Sequence, residues 1–324
     1  MTISEATTRS RGALLSARRR APRLMAQGRR RRVTTSASLN LSVVRADHQL
    51  PDGLALETIA IAPEAPASGR PPLLFVHGSY HGAWCWAEKW QPYLAERGFR
   101  TLSVSFRAQG KSERAAGMKF AGTLRSHADD LESVVKSMGE PPVMVAHSFG
   151  GLVAELYASQ PRSPLAGIAC LSSVPPTGNG EIIKRITKRS FVDSAKITWG
   201  FITKSFLKSS ADTRFLFFSD KLDESSVLKY QRLLQENASP VPLLDVRNLN
   251  AELPIPKPMP ATFNSKAFVG GGSADCVVDP PAVEELARYF GVQARIWSGL
   301  GHDVMLDADA DVVAADLLAW LESL

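Results

Sequence analysis

Ser148 ends the apolar run Val143-Met144-Val145-Ala146-His147 and is followed at once by Phe149-Gly150-Gly151. A serine delivered by a buried strand into a tight strand-to-helix turn is the arrangement of a nucleophile elbow. Its hydroxyl is held out of the turn, and the backbone N–H of Phe149 points into the same space. Small neighbours are required, because the turn draws strand and helix close together. Taken by itself the pentapeptide also fits an ordinary βα turn. A serine hydroxyl is a weak nucleophile near neutral pH, so it needs a base, and the base needs an anionic group on its far nitrogen. Of six histidines, His302 alone lies in a Gly-His loop after the last expected strand, which makes it the candidate base. Asp275 is the candidate orienting carboxylate. It comes sooner after its strand than Asp279, which precedes Pro280 and reads as a helix N-cap.

Attack on an ester creates a negative oxygen that needs two donors, one of them from outside the elbow. The loop His77-Gly78-Ser79-Tyr80-His81-Gly82 follows the buried strand Leu73-Leu74-Phe75-Val76, and its glycine lets the backbone turn inward to offer the N–H of Ser79. Ser79 and Phe149 are therefore the expected oxyanion donors. Tyr80 and His81 are candidates for the cleft wall, with packing of the first helix as the competing role. His77 and Trp86 are read as packing residues.

Two segments carry a resemblance. Ala146-His147-Ser148-Phe149-Gly150 is similar to the G-x-S-x-G signature of the α/β-hydrolase superfamily, with Ala in place of the first Gly. His77-Gly78-Ser79-Tyr80-His81-Gly82-Ala83-Trp84 resembles the H-G-x-x-H-G-A-W segment of plant methylesterases, hydroxynitrile lyases and related plant and algal hydrolases. The resemblance implies an α/β-hydrolase fold: a mostly parallel eight-stranded sheet flanked by helices, with a helical cap. It implies the chain order Ser148, Asp275, His302 for the three roles, and no metal or organic cofactor. The implied activity is two-step hydrolysis of a carboxylic ester, thioester or lipid ester. Ser148 argues against the branches that use an Asp nucleophile. Asp303 stands where hydroxynitrile lyases have Lys. C–C hydrolases, cofactor-free haloperoxidases and non-catalytic hydrolase-fold receptors remain as alternatives.

The elements that must position these residues are legible along the chain. Two alternating runs, Leu41 to Arg45 and Leu54 to Ile61, flank Pro51-Asp52-Gly53 and read as an antiparallel edge. Strands follow at Phe99 to Phe106, Val143 to His147, Leu165 to Leu171, Lys266 to Gly272 and Val292 to Trp297. Helices are expected from about Trp84 to Arg97, Thr123 to Met138, Gly151 to Ser159, Ala282 to Phe290 and Asp309 to Leu324, the last with Val312, Val313, Leu317, Leu318 and Leu321 facing inward. His127 and Cys170 read as core residues. Gly110-Lys111-Ser112 is not a phosphate loop, since Ser105 stands where the required glycine would be.

The core is expected over residues 39–176 and 261–324. Between them about 85 residues are too many for a bare connection, so residues 177–260 are expected to form a helical cap. Its helices are placed at Glu181 to Arg189, Phe191 to Leu207 and Asp223 to Gln235. Ile182, Ile183, Ile186, Trp199, Phe201, Ile202, Phe206, Val227 and Leu234 supply their apolar face, and Trp199 and Phe201 are candidate pocket residues for an apolar substrate. The lysines and arginines of this segment fit a solvated face, with contact to an anionic membrane surface as the alternative.

The formal charge of +6 is unevenly spread. Residues 1–40 hold ten Arg, ten Ser and Thr and one acid, Glu5, for a net +9, which leaves −3 for the rest. Residues 1–38 thus read as a disordered organelle transit peptide, with a plastid as the expected destination and mitochondrion or cytoplasm as alternatives; a basic arm for nucleic acid or anionic lipid, or a disordered or mistranslated leader, are the competing readings. With the basic residues in the leader, the body has no nucleic-acid-binding signature. Three scattered cysteines, Cys85, Cys170 and Cys276, make neither a disulfide framework nor a zinc site. No apolar run is long enough for a membrane-spanning helix.

Overall fold

The computed structural model describes residues 31–32 and 41–324. The leader expected over residues 1–38 lies outside the described residues except for Arg31–Arg32, a two-residue pairing on Arg45 and Val44.

Eight strands of four to nine residues form the sheet: β1 Leu41–Gln49, β2 Ala55–Pro63, β3 Leu73–Val76, β4 Thr101–Val104, β5 Val143–His147, β6 Gly167–Leu171, β7 Ala267–Gly272 and β8 Ala294–Trp297. Their spatial order is β1-β2-β4-β3-β5-β6-β7-β8. The β1–β2 and β2–β4 pairs are antiparallel, and every later pair is parallel. Parallel strands joined by helical crossovers are buried on both faces, which is why β3, β5 and β6 read as unbroken apolar runs.

Alternation along these strands divides the interior into two cores. Leu74, Val76, Met144, Ala146, Ile168, Cys170 and Val269 point to one face, where α3 (Leu124–Met138), α4 (Phe149–Ala158) and α11 (Pro280–Phe290) cover them. Leu73, Phe75, Val143, Val145, Ala169, Leu171 and Phe268 point to the other. There α1 (Trp84–Ala87), α2 (Trp90–Ala95) and α12 (Ala310–Leu321) pack with Trp86, Trp90 and Leu317. The single helix expected over Trp84 to Arg97 is thus two short ones. In α12, Val312 is exposed rather than inward-facing, because Val313 and Leu317 set the buried stripe. Thr123 and Ser126 form a reciprocal cap at the start of α3, and Gly139, at φ +75°, ends it.

Between β6 and β7 the chain forms α5 (Gly180–Arg189), α6 (Phe191–Thr203), a 3-10 turn (Ser205–Leu207), α7 (Ser210–Phe217), α8 (Glu224–Glu236), α9 (Val246–Leu249) and α10 (Pro260–Phe263). Helix α7 has no counterpart among the expected helices, and α6 ends at Thr203, short of the expected Leu207. Phe206, Phe217, Phe218 and Tyr230 of this segment join the second core. Ile182, Ile186, Val227 and Leu234 are buried as expected, whereas Ile183, Trp199 and Ile202 face outward.

Two loops meet where β7 ends. A Cβ added at Gly272 would lie 2.2 Å from the carbonyl oxygen of Leu300 and 2.5 Å from that of Gly301. Backbone cannot yield as a flexible side chain does, so we expect Gly272→Ala to cost about 1–3 kcal/mol in urea unfolding. Gly180→Ala, in open space at the start of α5, is expected to be neutral or stabilising by up to about 1 kcal/mol. Equal effects of the two substitutions would contradict this packing.

Candidate active site

Ser148 follows the last residue of β5 with φ +55° and ψ −128°, a backbone conformation that side chains rarely adopt. The surroundings enforce it. A Cβ on Gly150 would stand 2.2 Å from the carbonyl oxygen of His77, and one on Gly151 would stand 2.0 Å from Ser173 Oγ. A Cβ on Gly78 would lie 2.7 Å from the Cβ of Ser148, so the loop after β3 passes directly beside the serine. These are the close approaches that the run of small residues around Ser148 accommodates.

His302 Nε2 lies 3.0 Å from Ser148 Oγ, and His302 Nδ1 lies 2.8 Å from Asp275 Oδ2. Asp275 Oδ1 accepts from the N–H groups of Val277 at 2.7 Å and Val278 at 2.9 Å, which fixes the carboxylate plane. The three residues come from the ends of β5 and β7 and the loop after β8, and all are buried. Burial disfavours the charged imidazole of His302, yet the charge and hydrogen bond of Asp275, with Asp303 adding to them, raise its pKa above the ordinary value. The N–H groups of Ser79 and Phe149 make no main-chain hydrogen bond among the described residues. Phe149 opens α4, where the first N–H groups lack partners in the helix.

Other sequence-selected residues are placed differently. His81 does not line a cleft: it is 1% exposed, with Nδ1 2.9 Å from the carbonyl oxygen of Ser79 and Nε2 2.8 Å from Asp303 Oδ2. It ties the loop of Ser79 to the loop of His302. Asp303 is fully buried, and His81, His147 and His302 hold its carboxyl below the usual range against the opposing effect of burial. Its partner is 222 positions away, and only the neighbouring Gly-His marks it. Asp279 occupies the N-cap position of α11 but makes no capping bond there. Its two oxygens instead receive Arg185 of α5 at 2.6 and 2.7 Å, a bidentate link between the inserted helices and the core. Tyr80, at φ +67°, is half-buried and stacks on Phe201 with ring centroids 5.4 Å apart, its hydroxyl donating to the carbonyl of Phe201 at 3.1 Å. Trp199 is 67% exposed, turned away from this cluster because Gly200 and Phe201 face inward.

A second anchor comes from α7. The N–H of Asp303 donates to the carbonyl of Phe217, and a Cβ on Gly301 would meet the backbone of Phe218 at 2.7 Å. His147, His302 and Asp303 offer ligand atoms within 4.8 Å of one another. Both ring nitrogens of His302 are already engaged by Ser148 and Asp275, so an ion there would have to break that chain. Near Gly110-Lys111-Ser112, the N–H of Lys111 donates to Glu57, a carboxylate where a phosphate loop would need an anionic ligand. The open pocket of about 630 Å³ lined by Arg70, Arg100, Glu140 and Lys266 is at the opposite, N-terminal ends of the strands.

The comparisons agree with this architecture. The model of the Alpha/beta hydrolase family matches residues 73–315, and the chain belongs to that family. Methylesterase 9 of Arabidopsis thaliana is 35% identical over 109 residues, covering 33% of this chain and 41% of that protein. Methylesterase 4 of the same plant is 28% identical over 137 residues, covering 39% and 51%. The chain therefore spans about half or less of the curated relatives it matches. A thermophilic esterase from Thermogutta terrifontis superposes with a TM-score of 0.59 at 20% identity, over 91% of this chain and 98% of that one. At such identity the likeness concerns the fold alone.

Burial lowers the pKa of His77 to about 3, of His127 to about 4 and of His147 to about 3, so each is neutral in the folded chain. An unfolded histidine takes up a proton near pH 6.5, and stability is then lost as the pH falls from there toward the folded values. We expect the unfolding free energy to drop by roughly 1.4 kcal/mol per pH unit for each of the three between about pH 6 and 4. His127→Asn, in α3 and outside the Ser148–His302–Asp275 line, should make the slope shallower by about that amount. An unchanged slope would contradict the neutral assignment.

Proposed function

We propose that this protein hydrolyses carboxylic esters, with Ser148 as nucleophile, His302 as base, Asp275 as the orienting carboxylate, and the N–H groups of Ser79 and Phe149 as oxyanion donors. The observation that carries the reading is the unbroken hydrogen-bonded line from Ser148 through His302 to Asp275. The kinship with methylesterases supports an ester as substrate class.

The steps follow from the geometry. Ser148 Oγ attacks the carbonyl carbon as its proton passes to His302 Nε2, and the carbonyl π electrons move onto oxygen between Ser79 and Phe149. The tetrahedral intermediate collapses, the C–O bond to the leaving alcohol breaks, and His302 gives its proton to that oxygen. Water then attacks the acyl carbon while His302 takes its proton, and the second collapse returns the proton to Ser148 and releases the acid. Asp275 holds Nδ1–H throughout, so Nε2 faces the serine in the accepting tautomer.

Access must accompany this chemistry, because Ser148 is 5% exposed. In our reading residues 177–260 act as a cap. The contacts of Tyr80 with Phe201, Asp303 with Phe217 and Asp279 with Arg185 are what would loosen to admit an apolar ester. The plastid address rests on the composition of residues 1–38 alone. A Ser148→Ala variant should lose labelling by a fluorophosphonate probe and lower kcat on a panel of esters graded by chain length by about 10⁴–10⁶-fold. Retained turnover in that variant, or no turnover of any ester or thioester by the unaltered chain, would overturn the reading.

A further inference from the structure

Helix α6 has an outward face that the fold leaves uncovered. Phe191, Val192, Trp199 and Ile202 are 75, 72, 67 and 77% exposed. With about 100° of rotation per residue, they and the exposed Ala195 fall within one stripe of about 100° of arc. Its opposite face is the packed one, where a Cβ on Gly200 would approach Leu216 Cδ1 to 2.9 Å. A continuous exposed patch of this kind marks an interaction surface rather than chance exposure.

The charge around the stripe identifies its partner. Residues 180–208 carry seven basic and two acidic side chains, a net +5, or +4 once Arg185 is set against its partner Asp279, inside a body from residue 41 onward whose net charge is −3. Lys188 and Arg189, both exposed, stand one residue from Phe191 and Val192 across the joint at Ser190. Lys196 lies at the edge of the stripe, with Nζ 3.9 Å from the ring centroid of Phe215. Of the two acids, Glu181 is paired with Lys184 at 2.6 Å, and Asp193 falls about 200° round the helix from Phe191. Aromatic and aliphatic side chains bordered by basic ones suit the headgroup layer of an anionic bilayer, which takes rings and stems into its acyl boundary and phosphates against the cations.

We propose that the outer face of α6, with the α5–α6 joint, is a docking surface for an anionic membrane interface. The proposal does not rest on the catalytic reading. It is tested by co-sedimentation of the full chain with vesicles of phosphatidylcholine, alone or with about one third phosphatidylglycerol. We expect at least about tenfold stronger partitioning onto the anionic vesicles, weakened as salt screens it. The pair Phe191→Ser and Trp199→Ser, on exposed positions, should reduce that partitioning about tenfold with the thermal midpoint unchanged. Lys188→Glu with Arg189→Glu should cut the preference for anionic lipid about tenfold. The Arg-rich leader is present in every variant, so partitioning that both sets of substitutions leave undiminished belongs to the leader and overturns the proposal. Absence of vesicle binding overturns it too, as does concentration-dependent self-association that the Phe191 and Trp199 substitutions remove, since the occupant would then be a second copy.

Discussion

The left-handed backbone of Ser148 is the constraint on which the rest of the site depends. A serine at φ +55° is unfavourable by itself, of the order of 1–3 kcal/mol, and is held by the close packing of the turn. Gly78, in the loop after β3, lies against Ser148 itself, Gly150 lies against the carbonyl of His77 and Gly151 against Ser173, and α4 begins immediately behind. The same crowding brings the loop of Gly78 against the serine.

Around that turn the fold works as a set of distant anchors. Strand ends 127 positions apart in the chain bring Ser148 and Asp275 to one edge of the parallel sheet, and His302 arrives from the loop after β8. Behind them His81 and Asp303 join two of these loops in a buried pair, and the carbonyl of Phe217 fixes the main chain of Asp303. The inserted helices thus hold the loop of Asp303 through the carbonyl of Phe217 and join the second core through Phe206 and Phe217. Their outer surface follows a different logic, with apolar and basic side chains together where a solvated helix would carry mixed charges.

How much of this could be read from the residues depended on whether the signal was local. The strands were legible because two-sided burial demands unbroken apolar runs, and the family resemblance followed from two short segments around Ser148 and His77. Helix α3 was legible because Thr123 and Gly139 punctuate a periodic run. Helix α7 was missed since Ser-Ala-Asp-Thr-Arg shows no apolar period. Trp199, Ile202 and Val312 were assigned inward because periodicity defines a stripe without saying what covers it. The burial of His81 and the link from Asp279 to Arg185 depend on partners 222 and 94 positions away. Nothing near either residue announces such a partner.

The central claim is that the hydroxyl of Ser148, activated by His302, becomes acylated. Rapid quenching during turnover of an activated ester, followed by mass spectrometry of the digested protein, tests it most directly. The account predicts an acyl adduct on the peptide containing Ser148, formed as a burst and absent in His302→Ala. An adduct on any other residue, or turnover with Ser148 unmodified at every time point, would contradict it.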